Sequence, residues 1–114
     1  MTAQPAADNV QFDRSGRHLT VYVSGELDAL LAPVVAERVL AHHQPGDEEV
    51  WLDLSDVTAC DSSGLRAIFL LNQALDGHGS RFILYDLAPA VQKALEMVDQ
   101  RPTLKIRTGD RWPT

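Results

Sequence analysis

Apolar residues recur at every second position near the start of this chain, on either side of residues 14–17. This spacing is typical of half-buried strands, and it predicts two strands joined by a tight turn. The residues that carry the alternation are Val10, Phe12, Leu19, Val21 and Val23. His18 and Thr20 fall between them, so we expect both on the more polar face of the second strand. Residues 25–28 then end that strand.

The next segment, residues 29–43, has apolar residues at helical spacing. Its main apolar stripe is formed by Leu31, Val35 and Val39. Pro33 has no backbone N–H and is tolerated only in a first helical turn, so the regular helix should start close to it. Asp28 either caps this helix or lies in the loop before it. The polar residues 44–47 predict its end.

The most informative stretch runs from Val50 to Leu71. A short apolar run that ends at Leu54 predicts a strand, and the polar residues that follow predict a connector. Those polar residues are Ser55, Asp56, Thr58 and Asp61. After them, apolar residues return at helical spacing and predict a helix that stops at residues 76–79. The residues of this helical stripe are Leu65, Ile68, Phe69, Leu71 and Leu75.

The start of this central helix has a well-defined capping pattern. Asp61 is a favourable N-cap residue, whose carboxylate would accept an N–H from Ser63 or Gly64. Ser62 then falls in the first turn, where unpaired N–H groups and the helix dipole favour negative charge. Because Gly64 has no Cβ, another molecule's backbone or a phosphate could approach closely. The pattern therefore predicts an outward-facing serine hydroxyl at a position that tolerates an anion.

The last third of the chain continues the alternation of strands and helices. Residues 81–85 form a short apolar run that predicts a strand, and residues 86–89 carry a proline suited to a helix start. The apolar stripe of that helix is Val91, Leu95 and Val98. Residues 101–102 should break the helix, and Leu104 and Ile106 alternate with basic residues in a last strand.

This order of elements predicts an α/β fold with right-handed crossovers. We expect a mixed, mostly parallel sheet of about five strands, packed against helices, with the N-terminal hairpin as its antiparallel edge. The predicted single domain spans residues 10–108. Residues 1–9 and 109–114 are predicted to be an N-terminal and a C-terminal tail.

Composition narrows the possible partners. The chain has a formal net charge of −6, which disfavours direct nucleic-acid binding because such binding depends on Lys and Arg. No apolar run approaches the roughly 20 residues that span a bilayer, and the first residues do not resemble a signal peptide. We therefore expect a cytoplasmic protein without a nucleic-acid or membrane partner.

Cys60 is the one cysteine of the chain, so an intramolecular disulfide is impossible. It stands, with Leu65, at the two positions that form a hydrophobic staple around the helix start. Its acidic neighbour Asp61 would not lower a thiol pKa, which favours a packing role. No clustered ligands predict a metal site, and no cofactor is predicted.

Two catalytic alternatives are weak on residue chemistry. A serine hydrolase at Ser62 would need a nearby base, and one of the two glycines of a nucleophile elbow is missing. The four histidines, His18, His42, His43 and His78, fall in a strand, at a helix end and in a turn, and are expected to be solvated. An aspartate phosphoacceptor built from Asp53, Asp56 and Asp61 would need converging carboxylates and a lysine.

Two motifs together resemble a known family. The sequence DLSDVTACDSSGL at residues 53–65, preceded by GELD at residues 25–28, resembles the STAS domain of anti-sigma factor antagonists. The similarity extends over residues 10–108. In that family the first serine of the DSSG motif is phosphorylated by a partner that is both anti-sigma factor and serine kinase. The resemblance implies that Ser62 is this serine, with Ser63 as a second candidate acceptor.

The resemblance also implies a mechanism and a surface. The unphosphorylated protein would bind the ATP- or ADP-bound anti-sigma kinase and so release a sigma factor. Phosphorylation at Ser62 would abolish this binding, and a separate serine phosphatase would reverse it. The implied partner-binding residues are Asp28, Asp61, Ser62, Ser63, Gly64 and Leu65. The protein would be a monomer or weak dimer and not an enzyme.

Two alternatives stay open at this point. The first is a STAS scaffold or transporter-associated subunit whose serine is never phosphorylated. The second is a small enzyme that uses Ser62.

Overall fold

The computed structural model describes residues 9–98 and 104–108. Within these residues the chain forms five strands and three helices in alternating order. The strands are β1 (Val10–Ser15), β2 (His18–Leu27), β3 (Glu49–Cys60), β4 (Arg81–Tyr85) and β5 (Lys105–Arg107). The helices are α1 (Leu31–His42), α2 (Ser62–Gly77) and α3 (Pro89–Glu96).

The strands form one sheet in the order β1-β2-β3-β4-β5. β1 is antiparallel to β2, and the other neighbours are parallel. The prediction of a mostly parallel sheet with an antiparallel edge hairpin is therefore confirmed. The two predicted tails, apart from residue 9, lie outside the described residues. The last helix ends at Glu96, so the prediction that it continues to a break at residues 101–102 was wrong.

The three helices bury their apolar stripes against one face of the sheet. Alternate strand residues such as Val21, Leu52 and Leu84 point to this face and are fully buried. The opposite face carries a smaller apolar cluster of Trp51, Ile83 and Tyr85. Thr20 lies beside Trp51 on that face, which is the less apolar face of β2 as expected, although Thr20 itself is buried.

The polar segment after Leu54 is a strand and not a connector. β3 continues to Cys60, and its second half pairs with β2, ending with Leu27 opposite Cys60. β4 pairs with β3 only as far as Asp53, so one edge of this second half has no strand beside it within the described chain. Most side chains of this half are exposed, so polar residues are tolerated there, and backbone pairing with β2 fixes the extended conformation. Because β3 continues to Cys60, Asp61 and the start of α2 lie beside the end of β2.

A buried ion pair joins the first hairpin to the loop before β3. Asp47 is only 2% exposed, and its carboxylate accepts hydrogen bonds from Arg14 Nε at 2.9 Å and from Arg14 Nη2 at 2.7 Å. The backbone N–H of Gln44 also donates to it, at 2.9 Å. The Arg14 hydrogen bonds are the main reason that the pKa of Asp47 lies below its ordinary value, and burial opposes this shift in part.

We expect the Asp47→Asn variant to lower the free energy of unfolding by about 2 kcal/mol at pH 7, because it leaves Arg14 without its carboxylate. Since the folded-state pKa of Asp47 is depressed, its stabilisation is complete above the unfolded pKa and is lost as the pH falls through the folded value. The difference between wild type and variant should therefore shrink below pH 3.8. Urea unfolding from pH 7 to pH 3 measures both effects.

The control is Glu48→Gln, which removes the ion pair of Glu48 with Arg17, where both side chains are well exposed. Such pairs contribute little, so this variant should unfold within about 0.5 kcal/mol of wild type. Equal losses for the two variants would contradict the assignment of Asp47 as the structural partner.

Candidate functional site

The GELD and DSSG motifs meet at the carboxyl ends of β2 and β3. β2 and β3 run parallel and end side by side, with Leu27 opposite Cys60. The backbone N–H of Asp61 donates to the carbonyl of Leu27 at 3.4 Å. Asp28 and Asp61 are therefore the first residues after two adjacent strands, and each precedes a helix.

Asp61 caps α2 as predicted. Its Oδ1 accepts the backbone N–H of Ser63 at 2.9 Å and that of Gly64 at 3.2 Å. Its own carbonyl accepts the N–H of Leu65 at 3.1 Å. Three of the first amides of α2 are thus already used, so the helix start has fewer free donors for an anion than the sequence pattern predicted.

Asp28 caps α1 in a similar way. Its Oδ1 accepts the backbone N–H groups of Leu30 at 3.0 Å and Leu31 at 3.1 Å. Its carbonyl accepts the N–H of Ala32 at 2.8 Å, which begins the helical pattern. Pro33 falls in the first turn of α1, as expected. Of the two roles considered for Asp28, the capping role is the one observed.

The two adjacent serines point to different grooves. Ser62 is exposed and lines the groove between α2 and α3, which comprises adjoining cavities of about 690 and 580 Å³. Ser63 is half-buried and lines a smaller groove of about 280 Å³ between α1 and α2. The sequence could not separate the two hydroxyls, but the helix geometry does, because successive residues point about 100° apart.

Large apolar side chains are exposed around these grooves. Leu30, just before α1, is 83% exposed, and Met97, just after α3, is 82% exposed. Leu70 lines both the groove between α1 and α2 and the one between α2 and α3, and is 45% exposed. Apolar exposure concentrated around one site is typical of a protein-binding surface.

Gly64 lies in close contact with the ends of β2 and β3. A Cβ at this position would lie 2.6 Å from the carbonyl oxygen of Leu27 and 2.9 Å from Cys60 Sγ. The close approach predicted for another molecule is therefore made by the end of β2, and Gly64 is buried. Leu65 is buried too and forms part of the floor of the groove between α2 and α3.

Cys60 packs in this junction. Burial and the neighbouring carboxylate of Asp61 raise the pKa of its thiol to about 11. The thiol therefore stays protonated at neutral pH, in line with the predicted packing role.

The four histidines lie at the opposite end of the parallel strands, and each lies near another side chain, His78 with its ring centroid 5.4 Å from that of His43. His42 stacks on Phe12 with ring centroids 4.0 Å apart, and His18 stacks on Trp51 at 5.3 Å. His43 Nε2 lies 2.7 Å from Ser80 Oγ. His42 and His78 are exposed, as expected, whereas His18 and His43 are only partly exposed. The 16 residues of α2 separate His78 from Ser62, so none of the histidines can act as a base for Ser62.

Two cations near Ser62 were not singled out by the sequence analysis. Arg66 lies one turn after Ser62 on α2 and lines the same groove. Lys93 of α3 lines that groove from the other side, together with Asp61 and Ser62. The spacing of four residues on a helix could have identified Arg66, whereas Lys93 comes close only through tertiary packing.

Among residues 9–98 and 104–108, no three or more His, Cys, Asp or Glu side chains are grouped so that they could hold a metal ion. In the same part of the chain, no helix has the length and apolar character needed to cross a membrane.

Comparison with known proteins identifies the family. A family model described as "Mlab, STAS domain" matches residues 10–101. The chain belongs to the STAS domain family. The predicted resemblance to this family is therefore confirmed.

Individual relatives are similar over most of the chain. The anti-sigma-B factor antagonist of Listeria monocytogenes is 25% identical over 95 residues, which are 83% of each chain. The structure of a putative anti-sigma factor antagonist from Thermotoga maritima superposes with a TM-score of 0.78 at 20% identity, covering 89% of this chain and 86% of that one. The anti-sigma factor antagonist SpoIIAA, in its unphosphorylated form, gives a TM-score of 0.67 at 17% identity and covers 89% of each chain.

We expect Gly64→Ala to lower the free energy of unfolding by about 1–3 kcal/mol, because the added methyl group would clash with the backbone carbonyl of Leu27. The matched control is Gly77→Ala at the end of the same helix, where a Cβ meets nothing within 4 Å. The control should be neutral or slightly stabilising. Urea unfolding of both variants checks this, and equal stability would contradict the close contact with Leu27.

Replacement of Asp61 separates its capping role from its charge. We expect Asp61→Ala to cost about 1 kcal/mol in the free energy of unfolding, because Ser63 and Gly64 lose their acceptor. Asp61→Asn should retain most of that stability, because asparagine caps almost as well without a charge. Thermal and urea unfolding measure the two values, and an equal loss in both would show that the charge matters more than the cap.

Proposed function

We propose that this protein is an anti-sigma factor antagonist whose unphosphorylated form binds an anti-sigma factor with serine kinase activity and so releases a sigma factor. The similarity to the Listeria antagonist and to SpoIIAA supports this role. The observation that carries the proposal is the placement of Ser62, an exposed hydroxyl at the start of α2 and at the border of an apolar groove. A kinase could reach this hydroxyl without unfolding the domain.

The proposed binding surface surrounds Ser62 and contains the residues implied by the family resemblance. Asp28, Asp61 and the two serines are at least partly exposed and would contact the partner. Gly64 and Leu65 are buried, so their contribution would be to hold the serines at the correct height and angle. The exposed apolar side chains of Leu30 and Met97 extend this surface on either side.

Phosphorylation would reverse binding by a local change. The γ-phosphoryl group of ATP passes to Ser62 Oγ, the bond from phosphorus to the ADP oxygen breaks, and the hydroxyl proton leaves to a base of the kinase. The product carries about −1.5 to −2 additional charge beside Asp61. Converting a mostly bound complex to a mostly free one requires on the order of 5 kcal/mol. Desolvating this dianion in the interface, near two carboxylates, can supply several of them.

Ser62 is the preferred acceptor over Ser63. Ser63 is half-buried between α1 and α2, and its N–H donates to Asp61 within the cap. A phosphoryl group there would have to fit into the smaller groove. Ser62 faces the larger groove and needs no such rearrangement.

The function we propose is that of a binding module and not an enzyme. The kinase, a serine phosphatase that removes the phosphoryl group, and the sigma factor are separate proteins. The switch would operate in the cytoplasm, where sigma factors act, with the antagonist as a monomer or weak dimer. A scaffold or transporter-associated subunit whose serine is never modified is the competing hypothesis.

Binding measurements with Ser62 variants test the switch. We expect Ser62→Ala to bind the kinase about as tightly as wild type, and Ser62→Asp to bind at least about tenfold more weakly, because a negative charge is placed in the interface. Ser63→Asp is the matched control at the neighbouring position. Isothermal titration with the ADP-bound kinase gives the affinities, and wild-type affinity of Ser62→Asp would contradict the mechanism.

Mass spectrometry tests the modification itself. After incubation with the kinase and ATP, trypsin releases residues 39–66 as one peptide. We expect its mass to rise by one phosphoryl group, with fragment ions that place the group on Ser62. The Ser62→Ala protein should show no increase. The competing scaffold hypothesis predicts an unchanged mass in both proteins.

A further inference from the structure

The start of α2 offers a phosphoryl group on Ser62 few free amide donors. The N–H groups of Ser63 and Gly64 are held by the Asp61 carboxylate, and the N–H of Leu65 is held by the Asp61 carbonyl. A dianion at Ser62 would therefore lie next to the carboxylate of Asp61, and the backbone N–H groups nearby already donate to that residue. Cationic side chains nearby would therefore add compensation that the backbone offers only in part.

Two cations converge on the groove that Ser62 faces. Arg66 follows Ser62 by four residues on α2, a spacing that places the two side chains on one face of the helix. Lys93 projects from α3 into the part of the groove that contains Asp61 and Ser62. The two cations thus line the groove of Ser62 from two different helices.

Both cations are available for a new partner. In residues 9–98 and 104–108, neither Arg66 nor Lys93 takes part in an ion pair or a side-chain hydrogen bond, whereas Arg14, Arg17 and Arg81 are each paired with a carboxylate. Both side chains are exposed, so they can reorient without disturbing the core. An arginine and a lysine that flank one hydroxyl suit a phosphoryl group, which offers three acceptor oxygens.

We propose that Arg66 and Lys93 hold the phosphoryl group of phosphorylated Ser62, so that the modified state is stabilised within the domain by an ion-pair clamp between α2 and α3. This inference rests on the proposed function, since it concerns the modified form of the same serine. It assigns a positioning role to two residues outside the DSSG and GELD motifs. The clamp stabilises the dianion over the groove and shields it from removal.

The titration of the phosphate tests the clamp directly. The titratable groups that line the groove are Asp61 at the helix cap, Cys60 in β3, Arg66 on α2 and Lys93 on α3, and Asp28 lies just after the neighbouring strand β2. The carboxylates raise the pKa of the second phosphate ionisation above its usual value of about 6, the cations lower it, and the Cys60 thiol remains neutral. Removing the cations must therefore raise this pKa.

The experiment uses full-length protein with phosphoserine inserted at position 62 during translation, so that no kinase is needed. Phosphorus NMR from pH 4 to pH 8 gives the pKa in wild type, Arg66→Gln, Lys93→Gln and the double variant. We expect the double variant to titrate about half a unit higher than wild type, with intermediate values for the single variants. Arg66→Lys should stay close to wild type, because it keeps the positive charge.

Lys105→Gln on β5 is the matched control, because it removes one positive charge on an edge strand that does not line the groove of Ser62. Its pKa should equal that of wild type. The same pKa in wild type and in the double variant would overturn the clamp, and so would a rise in Lys105→Gln as large as that in Lys93→Gln. As a second readout, a non-specific alkaline phosphatase should remove the group about threefold faster from the double variant.

The outcomes separate the two proposals. An unchanged pKa refutes the clamp but leaves phosphorylation of Ser62 by the kinase intact. Failure of the kinase to modify Ser62 refutes the proposed function, whereas the NMR titration still measures how Arg66 and Lys93 act on a phosphoryl group at that position.

Discussion

The parallel pairing of β2 with β3 up to Leu27 and Cys60 is the constraint on which the site depends. This pairing brings the ends of two strands together, although 32 residues of sequence separate Asp28 from Asp61. It also places the carbonyl of Leu27 where a side chain on the first turn of α2 would otherwise be, so Gly64 is required there. The position of Ser62 is therefore set by backbone packing between a strand end and a helix start.

The two ends of the parallel strands have different roles. At the amino end, Asp47 and Arg14 form a partly buried ion pair, and His43 contacts Ser80. These polar groups are satisfied by one another and serve the fold. At the other end, the carboxylates of Asp28 and Asp61 cap the two helices, and the hydroxyl of Ser62 is exposed. The backbone at this surface is held by hydrogen bonds while the Ser62 side chain is accessible, which suits a switch that acts by adding charge.

Electrostatics link the proposed switch to its surroundings. The residues that cap α1 and α2 carry carboxylates. They repel a phosphoryl group added nearby unless cationic side chains compensate its charge. Arg66 and Lys93 stand at that place without partners among the described residues. A single modification could then disfavour docking on an acidic or apolar partner surface and still be tolerated by the domain itself. No change of fold is needed for either effect.

The sequence alone determined the order of elements, the mostly parallel sheet and the Asp61 cap, because periodicity and capping are local properties of the chain. Its preference for Ser62 over Ser63 came from the family resemblance and stays a prediction. Only the tertiary structure showed that residues 55–60 form a strand, that Gly64 lies against Leu27 and that Lys93 lines the same groove as Ser62. Each of these depends on contacts between distant segments. Local spacing cannot encode such contacts, since backbone pairing can turn a polar segment into a strand and helix packing decides which side chains share a groove.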